Sequence, residues 1–507
     1  MNRRSLYHYV TYLVIIVLLI FPLSYLSMPT ELGPSGERKS QGVLASMRDE
    51  YKLSQANLGK IDAASETMKL ATLGMRGVAS NLLWEKANQA KMREDWTTLS
   101  ATLEQIAHLQ QNYVGVWMFQ GWNVAYNISV EWDNYKDRYF WVIKGLRFLQ
   151  EGTEYNENDP KLISEVGRVS SQKIGNADEK VEFRRLFRDD DDFHRVQAVR
   201  QRDNWLFGKD WYRIAERVVE DKQGSLGQMA ELIFYSQAPM CQIYYCDAME
   251  DDGTFGEQAR GAWIQSADEW ASFGGRALPG LRPDSIQRLA DYYPLKTEME
   301  KKQVEFAALT DGLYAKLKAE KMAALTEDQR RALGMSMSDM TRSDQALAEE
   351  ATRLLAIDNL ELADNVASKN RERARELANE LAALEQQVSS IDKDRNAINY
   401  EYWSERCKSE SSDEALAARQ SLYAAEKDFN EGDLVGAKEK YERGFAEWRK
   451  VYDRNPYFLE DSTSFDMGLY MVSYFEVLRQ LDAERPKDFP LDDIRRFHSN
   501  GHFPQLR

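Results

Sequence analysis

The side chains able to do chemistry are few and scattered. Five histidines occur, His8, His108, His194, His498 and His502, and none stands in an H-E-x-x-H, a G-x-S-x-G or a glycine-rich phosphate-binding pattern. A serine or cysteine nucleophile needs a histidine to take its proton and a carboxylate to orient that histidine, and no spacing here proposes such a set. Carboxylates are abundant, 82 in all, so any two chosen as an acid–base pair would be arbitrary. Asp189, Asp190, Asp191 and Asp192 are consecutive, whereas a calcium loop places its ligands at every other position. A solvated turn between Phe187 and Phe193 is expected instead. His498 and His502 lie near the end of the chain, where a loose tail is expected. The three cysteines, Cys241, Cys246 and Cys407, form no CxxC. Cys241 and Cys246 would stand about 140° apart on a helix, the wrong geometry for a disulfide, so buried free thiols are expected. No catalytic residue, metal or cofactor is assigned.

The elements that would position any site are helical. Between Pro294 and Pro456 there is no proline, so nothing in that stretch forbids very long helices. Strand-like alternation with turn dipeptides is hard to find, and the fold class is expected to be all-α. The 507 residues suffice for two or three folding units. A formal charge of −16 argues against nucleic acid as the main partner, because phosphate binding needs a basic surface.

Tyr9 to Met28 is a run of twenty mostly apolar residues, long enough as a helix to span a bilayer core. Arg3 and Arg4 precede it and hold that end in the cytoplasm. The run is longer than the apolar core of a cleaved signal and ends in Ser24-Tyr25-Leu26-Ser27-Met28, without a small-x-small site. A single transmembrane anchor is expected, with the bulk of the chain extracytoplasmic, periplasmic if the cell is bacterial. Pro29 to Gly42 forms a polar tether, and a helix is expected over roughly Val43 to Leu73.

Ala79 to Leu149 holds Trp84, Trp96, Trp117, Trp122, Trp132 and Trp141 at helical spacings. Leu82 to Ala90 makes a first helix, Arg93 to Trp96 a turn, and Leu99, Leu103, Ile106 and Ala107 the apolar stripe of a second. Trp117-Met-Phe-Gln-Gly121 opens another pair, whose second helix, with Val142, Gly145 and Leu146, needs an insertion at Glu131–Lys136. Late in the chain, Gly432-Asp433 turns before Ala437, Tyr441, Gly444 and Phe445. Thinner copies stand at Asp251–Ala259, with Trp263 and Ala267, and at Gly208–Trp211. Together these segments resemble degenerate tetratricopeptide (TPR) repeats, over some two hundred residues in two blocks. The resemblance implies a solenoid of helix pairs whose first helices line a protein-binding groove.

Leu295 to Cys407 is charged and alanine-rich. Leu377, Leu381, Leu384, Val388 and Ile391 form a heptad seam, which Ile398 and Tyr402 continue. Gly334 to Met340 is the expected reversal, with Ser343 capping the next helix, and Thr326 with Gln329 reads as a capping box. An intramolecular helical hairpin is expected here; a parallel homodimeric coiled coil is the alternative.

The expected layout is a cytoplasmic stub and anchor over 1–30, tether and linker helix over 31–75, a TPR-like array over 76–294, the arm over 295–407, and C-terminal TPR-like helices with a tail over 408–507. By the repeat pattern the groove face would carry Asn81, Trp84, Asn88, Lys91, Met118, Trp122 and Tyr126, amides and a cation for a backbone or carboxylate and aromatics for anchoring area. The function that follows is a membrane-anchored scaffold binding a protein partner. Two rivals stay open: an enzyme or obligate enzyme subunit with its site in the irregular Ser225–Pro294 segment, and a structural coiled-coil spacer. If the arm is an insertion, the block Asp413–Tyr452 should pack back on the chain before it. Replacing Leu295–Glu405 by a short linker should then leave a cooperatively melting protein, and a non-cooperative thermal transition followed by circular dichroism would contradict that boundary.

Overall fold

Caps and breaks, rather than long uninterrupted periodicity, set the helix ends. The computed structural model describes residues 76–507 apart from 196, 281–285, 461 and 507, together with positions 18, 22, 31–32 and 38–40. Tyr9–Met28, save two positions, and all of Val43–Leu73 lie outside the described residues; among the described residues no helix is long and apolar enough to cross a membrane. The chain is all-α, with 21 α-helices among those residues. Among the described residues the strands form two short antiparallel ladders, Glu31–Leu32 with Arg38–Ser40 and Leu278–Pro279 with Ile286–Gln287. Two compact units are formed, the first from residues 1–229 and 237–254, the second from 230–236 and 255–507.

The first unit begins with a helix pair, α1 (Arg76–Met92) and α2 (Trp96–Leu109). Asp95 ends the turn between them, its carboxylate accepting from the Thr98 amide at 3.0 Å. Next, α3 (Val114–Trp122) continues without a break through a π-turn, Asn123–Ile128, and a 3-10 turn, Ser129–Glu131. The return helix α4 (Tyr135–Tyr155) is capped by Asn134. The break therefore falls at 132–134, and the extra length expected between these helices is absorbed in a prolonged first helix. A third run, α5 (Pro160–Arg168), also passes into a π-turn, Val169–Lys173. It packs on α8 (Asn204–Glu220) after two intervening helices, α6 (Lys180–Asp189) and α7 (Asp191–His194). Gly208, expected in a turn, lies inside α8 with its backbone against Gly167.

Helix α9 (Glu231–Asp251) contributes its first residues to the second unit and the remainder to the first. With α10 (Glu257–Gly274) it occupies most of the stretch from Ser225 to Pro294. That stretch is therefore largely helical up to Gly274, while Pro279 and Gly280 stand beyond α10 as expected of a loop; Pro239 sits inside α9, where it removes one backbone hydrogen bond without ending the helix. Cys241, Cys246 and Cys407 are all buried, and none of them is in a disulfide.

In the second unit α11 (Tyr292–Leu309) runs antiparallel to the 30-residue α16 (Ser368–Ala397). Lys302 pairs with Glu380 at 3.0 Å and Glu305 with Arg373 at 2.8 Å, in opposite order along the two helices. Phe306 joins Leu377 and Leu381 in one buried cluster, and the whole seam Leu377, Leu381, Leu384, Val388 and Ile391 is buried within the chain. Beyond this pair lie four short helices, α12 (Leu313–Ala324), α13 (Glu327–Leu333), α14 (Arg342–Leu355) and α15 (Asn359–Asp364). Thr326 and Gln329 form the expected capping box. Thr341, not Ser343, caps α14, because its hydroxyl and Asp344 satisfy each other's backbone amides.

The seam does not continue through Ile398. Asn399 takes a left-handed conformation, φ 52°, and a new helix, α17 (Tyr400–Glu410), starts there. The break is anchored by Arg395, whose guanidinium lies over the rings of Tyr292, Tyr293 and Tyr400 at 5.0, 5.2 and 4.7 Å and donates to the Leu289 carbonyl. Tyr400 in turn stacks on Trp270, whose indole donates to the Tyr400 carbonyl at 3.0 Å.

After the arm the chain does return to α10. Arg260 pairs with Asp413, and Phe255 meets Tyr423 at 5.5 Å. The best-formed helix pair follows, α18 (Asp413–Glu431) and α19 (Leu434–Arg454), joined by Gly432 at φ +85°, a conformation that a side chain would strain. Ala437, Tyr441 and Phe445 are fully buried between them and α20 (Ser462–Gln480). The end of the chain is no loose tail. It forms α21 (Asp492–Ser499), where Arg495 donates to the Leu506 carbonyl at 2.7 Å and His498 is buried.

Glu410 ties α17 to α18. Fully buried, it accepts from Arg419 at 2.7 Å and faces Arg406, while Trp448 stacks under Arg419 and Trp263 under Arg406. Burial alone would raise this carboxyl, but the two guanidiniums outweigh it and hold the pKa below its ordinary 4.5.

Excision of Leu295–Glu405 removes Arg395 and Tyr400 and uncovers Trp270, so that variant is expected to lose its cooperative melt. Replacing only Thr310–Val366 by a short linker bridges adjacent ends of α11 and α16 and is expected to keep it. Glu410→Gln leaves two buried guanidiniums without their anion and is expected to cost about 3–5 kcal/mol by denaturant titration. Because the folded pKa is depressed, the Glu410 contribution is complete above about pH 4.5 and is lost as the pH falls through the folded value. The difference between wild type and Glu410→Gln should therefore shrink below that pH and not above it.

Candidate functional site

The six tryptophans of the first stretch divide by exposure. Trp117 and Trp141 are buried, Trp84 and Trp96 half-buried, and Trp122 and Trp132 remain 36% and 37% exposed. Trp117 is a core residue: its indole donates to the Gln111 carbonyl and its ring packs on Phe148 and Tyr155. The helical period then sends the residues on the other side of α3 outward. Phe119, Trp122 and Tyr126 follow one another at i, i+3 and i+7, the last within the π-turn.

These rings form a continuous strip with one from α1. Trp84 lies 6.3 Å from Phe119, Phe119 lies 6.4 Å from Trp122, and Trp122 stacks on Tyr126 at 6.2 Å. At its far end Arg168 and Lys173 sit over the Tyr126 ring at 5.2 and 5.1 Å. Arg168 also donates to the Tyr126 hydroxyl at 3.3 Å and is itself held by Glu165. Burial raises the Tyr126 pKa, so the phenol is neutral and its ring face is available to cations. Both π-turns, Asn123–Ile128 and Val169–Lys173, are in contact at this end. Such turns are rare and recur at functional sites.

Of the residues expected on the groove face, Trp84, Trp122 and Tyr126 belong to this strip. Met118 is half-buried and packs on the core below it. Asn81, Asn88 and Lys91 are exposed along α1 at helical spacing, and among the described residues their side chains make no hydrogen bond or ion pair. Phe119, at 51% exposure, was not among the expected residues although it stands three positions before Trp122. Glu165, Arg168 and Lys173 were also missed: they come from another helix pair, and no local spacing joins them to Tyr126.

Other clusters are accounted for by structure. Asp190 accepts the Tyr139 hydroxyl at 3.0 Å and caps α7, and Asp191 pairs with Arg202 at 2.6 Å. Among the described residues there is no group of three or more side chains placed to hold a metal ion. Ser464 and the His498 imidazole are 3.0 Å apart, but both are buried and no carboxylate meets the other ring nitrogen among the described residues, so the pair fills space rather than facing a substrate.

The strip depends on how closely α4 approaches its helix. A Cβ at Gly145 would lie 2.8 Å from both the Ala125 nitrogen and the Gly121 oxygen, which are backbone atoms and cannot step aside. No family model, curated protein or solved structure matches this chain.

Gly145→Ala is expected to destabilise the first unit by about 1–3 kcal/mol, the usual cost of overpacking. Because the displaced backbone lies between Phe119 and Tyr126, tryptophan emission from Trp122 should shift as well. An unchanged denaturation midpoint in this variant would contradict the crossing.

Proposed function

We propose that this chain is a membrane-anchored, extracytoplasmic scaffold of TPR-like helix pairs that holds a partner protein in the cell envelope. The observation that carries the reading is the aromatic strip Trp84–Phe119–Trp122–Tyr126, in which Phe119 and Trp122 are exposed and Trp84 and Tyr126 half-buried. Contiguous large aromatics left in water forgo roughly 25 cal/mol for each Å² they would otherwise bury, and such rings are the usual anchors of protein interfaces.

The TPR-like part of the reading is supported by the pairs α1/α2, α3/α4 and α18/α19. Its small crossing residue is Gly145, and its turn is Gly432-Asp433. The anchor and its orientation are supported by the apolar run Tyr9–Met28 behind Arg3 and Arg4. The net charge of −16 fits a protein partner better than a nucleic acid. The helical arm is a second surface, for another partner or for self-association.

Full-length protein extracted from membranes and used as bait provides the test. Phe119→Ala combined with Trp122→Ala is expected to reduce capture of a specific partner at least tenfold, the effect of losing hot-spot anchors worth about 2 kcal/mol or more, without changing the thermal midpoint. Undiminished capture by a folded double variant would remove the strip from the function.

A further inference from the structure

A long polar side chain sits on the core side of α3. Gln120 lies one turn from Val116 and from Val124, both buried, and is itself only 1% exposed. Its carboxamide carries a donor, Nε2, and an acceptor, Oε1. Both atoms are buried, and among the described residues neither has a hydrogen-bond partner. A buried polar atom left without a bond forfeits its hydration for nothing, and nearly all such atoms in folded proteins are bonded to protein or to ordered water.

The carboxamide lines a cavity of about 20 Å³ between α2, α3 and α4, together with Ser100, Leu103, Glu104, Lys144 and Phe148. The polar side of that wall is loosely engaged. The Ser100 hydroxyl meets Glu104 Oε1 at 3.4 Å, and the Lys144 ammonium meets the same oxygen at 3.5 Å. Both contacts are long for their kind and leave these groups room for a further bond. One cation faces one carboxylate here, so charge does not select the occupant.

Size and bonding valence do. A cavity needs roughly 10–15 Å³ to take one water, so about 20 Å³ suffices for that and excludes an amino acid, a sugar or a nucleotide. The occupant must accept from Nε2 and donate to Oε1. An ammonium ion only donates and a halide only accepts, so either would leave one atom of the carboxamide bare. Water does both. Its second proton and second lone pair then remain for the Glu104 carboxylate and the Ser100 hydroxyl, which gives it the three or four partners of an internal water.

We propose that Gln120 anchors an internal water site, where one water joins its carboxamide to Glu104 and Ser100. That bridge ties α3 to α2 on the side of α3 opposite Trp122. The site stands whether or not the aromatic strip is a docking surface.

Oxygen-17 relaxation dispersion of water, measured on full-length protein in detergent micelles, counts the waters held longer than the particle tumbles. Gln120→Met keeps the length of the side chain and removes both polar atoms. It is expected to lower that count by one relative to wild type while the protein still melts cooperatively. An unchanged count in the folded variant overturns the site. Should Gln120→Met lose its cooperative melt, wild type decides alone. A high-resolution map must then show a single peak about 2.6–3.2 Å from both Gln120 Nε2 and Oε1. A carboxamide bonded directly to Ser100, Glu104 or Lys144 without such a peak overturns the proposal, and so does density larger than one atom.

Discussion

The close passage of α4 across the helix that carries the strip is the constraint on which the candidate site depends. Gly145 lies against the Gly121 oxygen and the Ala125 nitrogen, so two backbones meet where side chains would normally keep them apart. That contact fixes which side of α3 is buried. Trp117, Val124, Ala125 and Ile128 go to the core, and the helical period leaves Phe119, Trp122 and Tyr126 on the outside. The π-turn over Asn123–Ile128 adds a residue to the turn at this point, and Tyr126 is carried to Arg168 and Lys173.

A different kind of constraint governs the second unit. Its joints are buried arginines laid on aromatic rings: Arg395 on three tyrosines at the root of the arm, and Arg406 and Arg419 on tryptophans around Glu410. A guanidinium can stack and donate in its plane at once, which lets one side chain hold helices of several directions. The price is that each charge must keep its partner, since a buried ion left alone costs several kcal/mol. Arg395 and Tyr400 therefore belong to the base of the arm, inside the boundary that the sequence suggests.

The heptad seam illustrates how a local pattern underdetermines its partner. Leu377, Leu381, Leu384, Val388 and Ile391 require something apolar to cover them, whether another copy or another helix. Phe306, far earlier in the chain, shares one buried cluster with Leu377 and Leu381. Likewise, the prolines and glycines between Ser225 and Pro294 suggested loops; Pro279 and Gly280 do lie outside the helices, but Pro239 stands inside a 21-residue helix, where it costs a single hydrogen bond.

The helical class, the pair at α1 and α2, the turn at Gly432-Asp433 and the Thr326 capping box were legible in the sequence, because each rests on interactions within a few residues. The repeat resemblance put Trp84, Trp122 and Tyr126 on one face, and of these Trp122 is exposed and the other two half-buried. Only tertiary structure decided that Phe119 joins them, that Lys173 ends the strip, and that the seam closes on α11. Those contacts link residues tens of positions apart, and no spacing along one helix encodes them. His498 and the final helix follow the same rule: a polar run at a chain end reads as loose until the hydrogen bond from Arg495 to the Leu506 carbonyl is seen. What the sequence determined was how each segment coils and which side it hides; what the tertiary structure decided was which hidden sides meet, and so which aromatics were left in water.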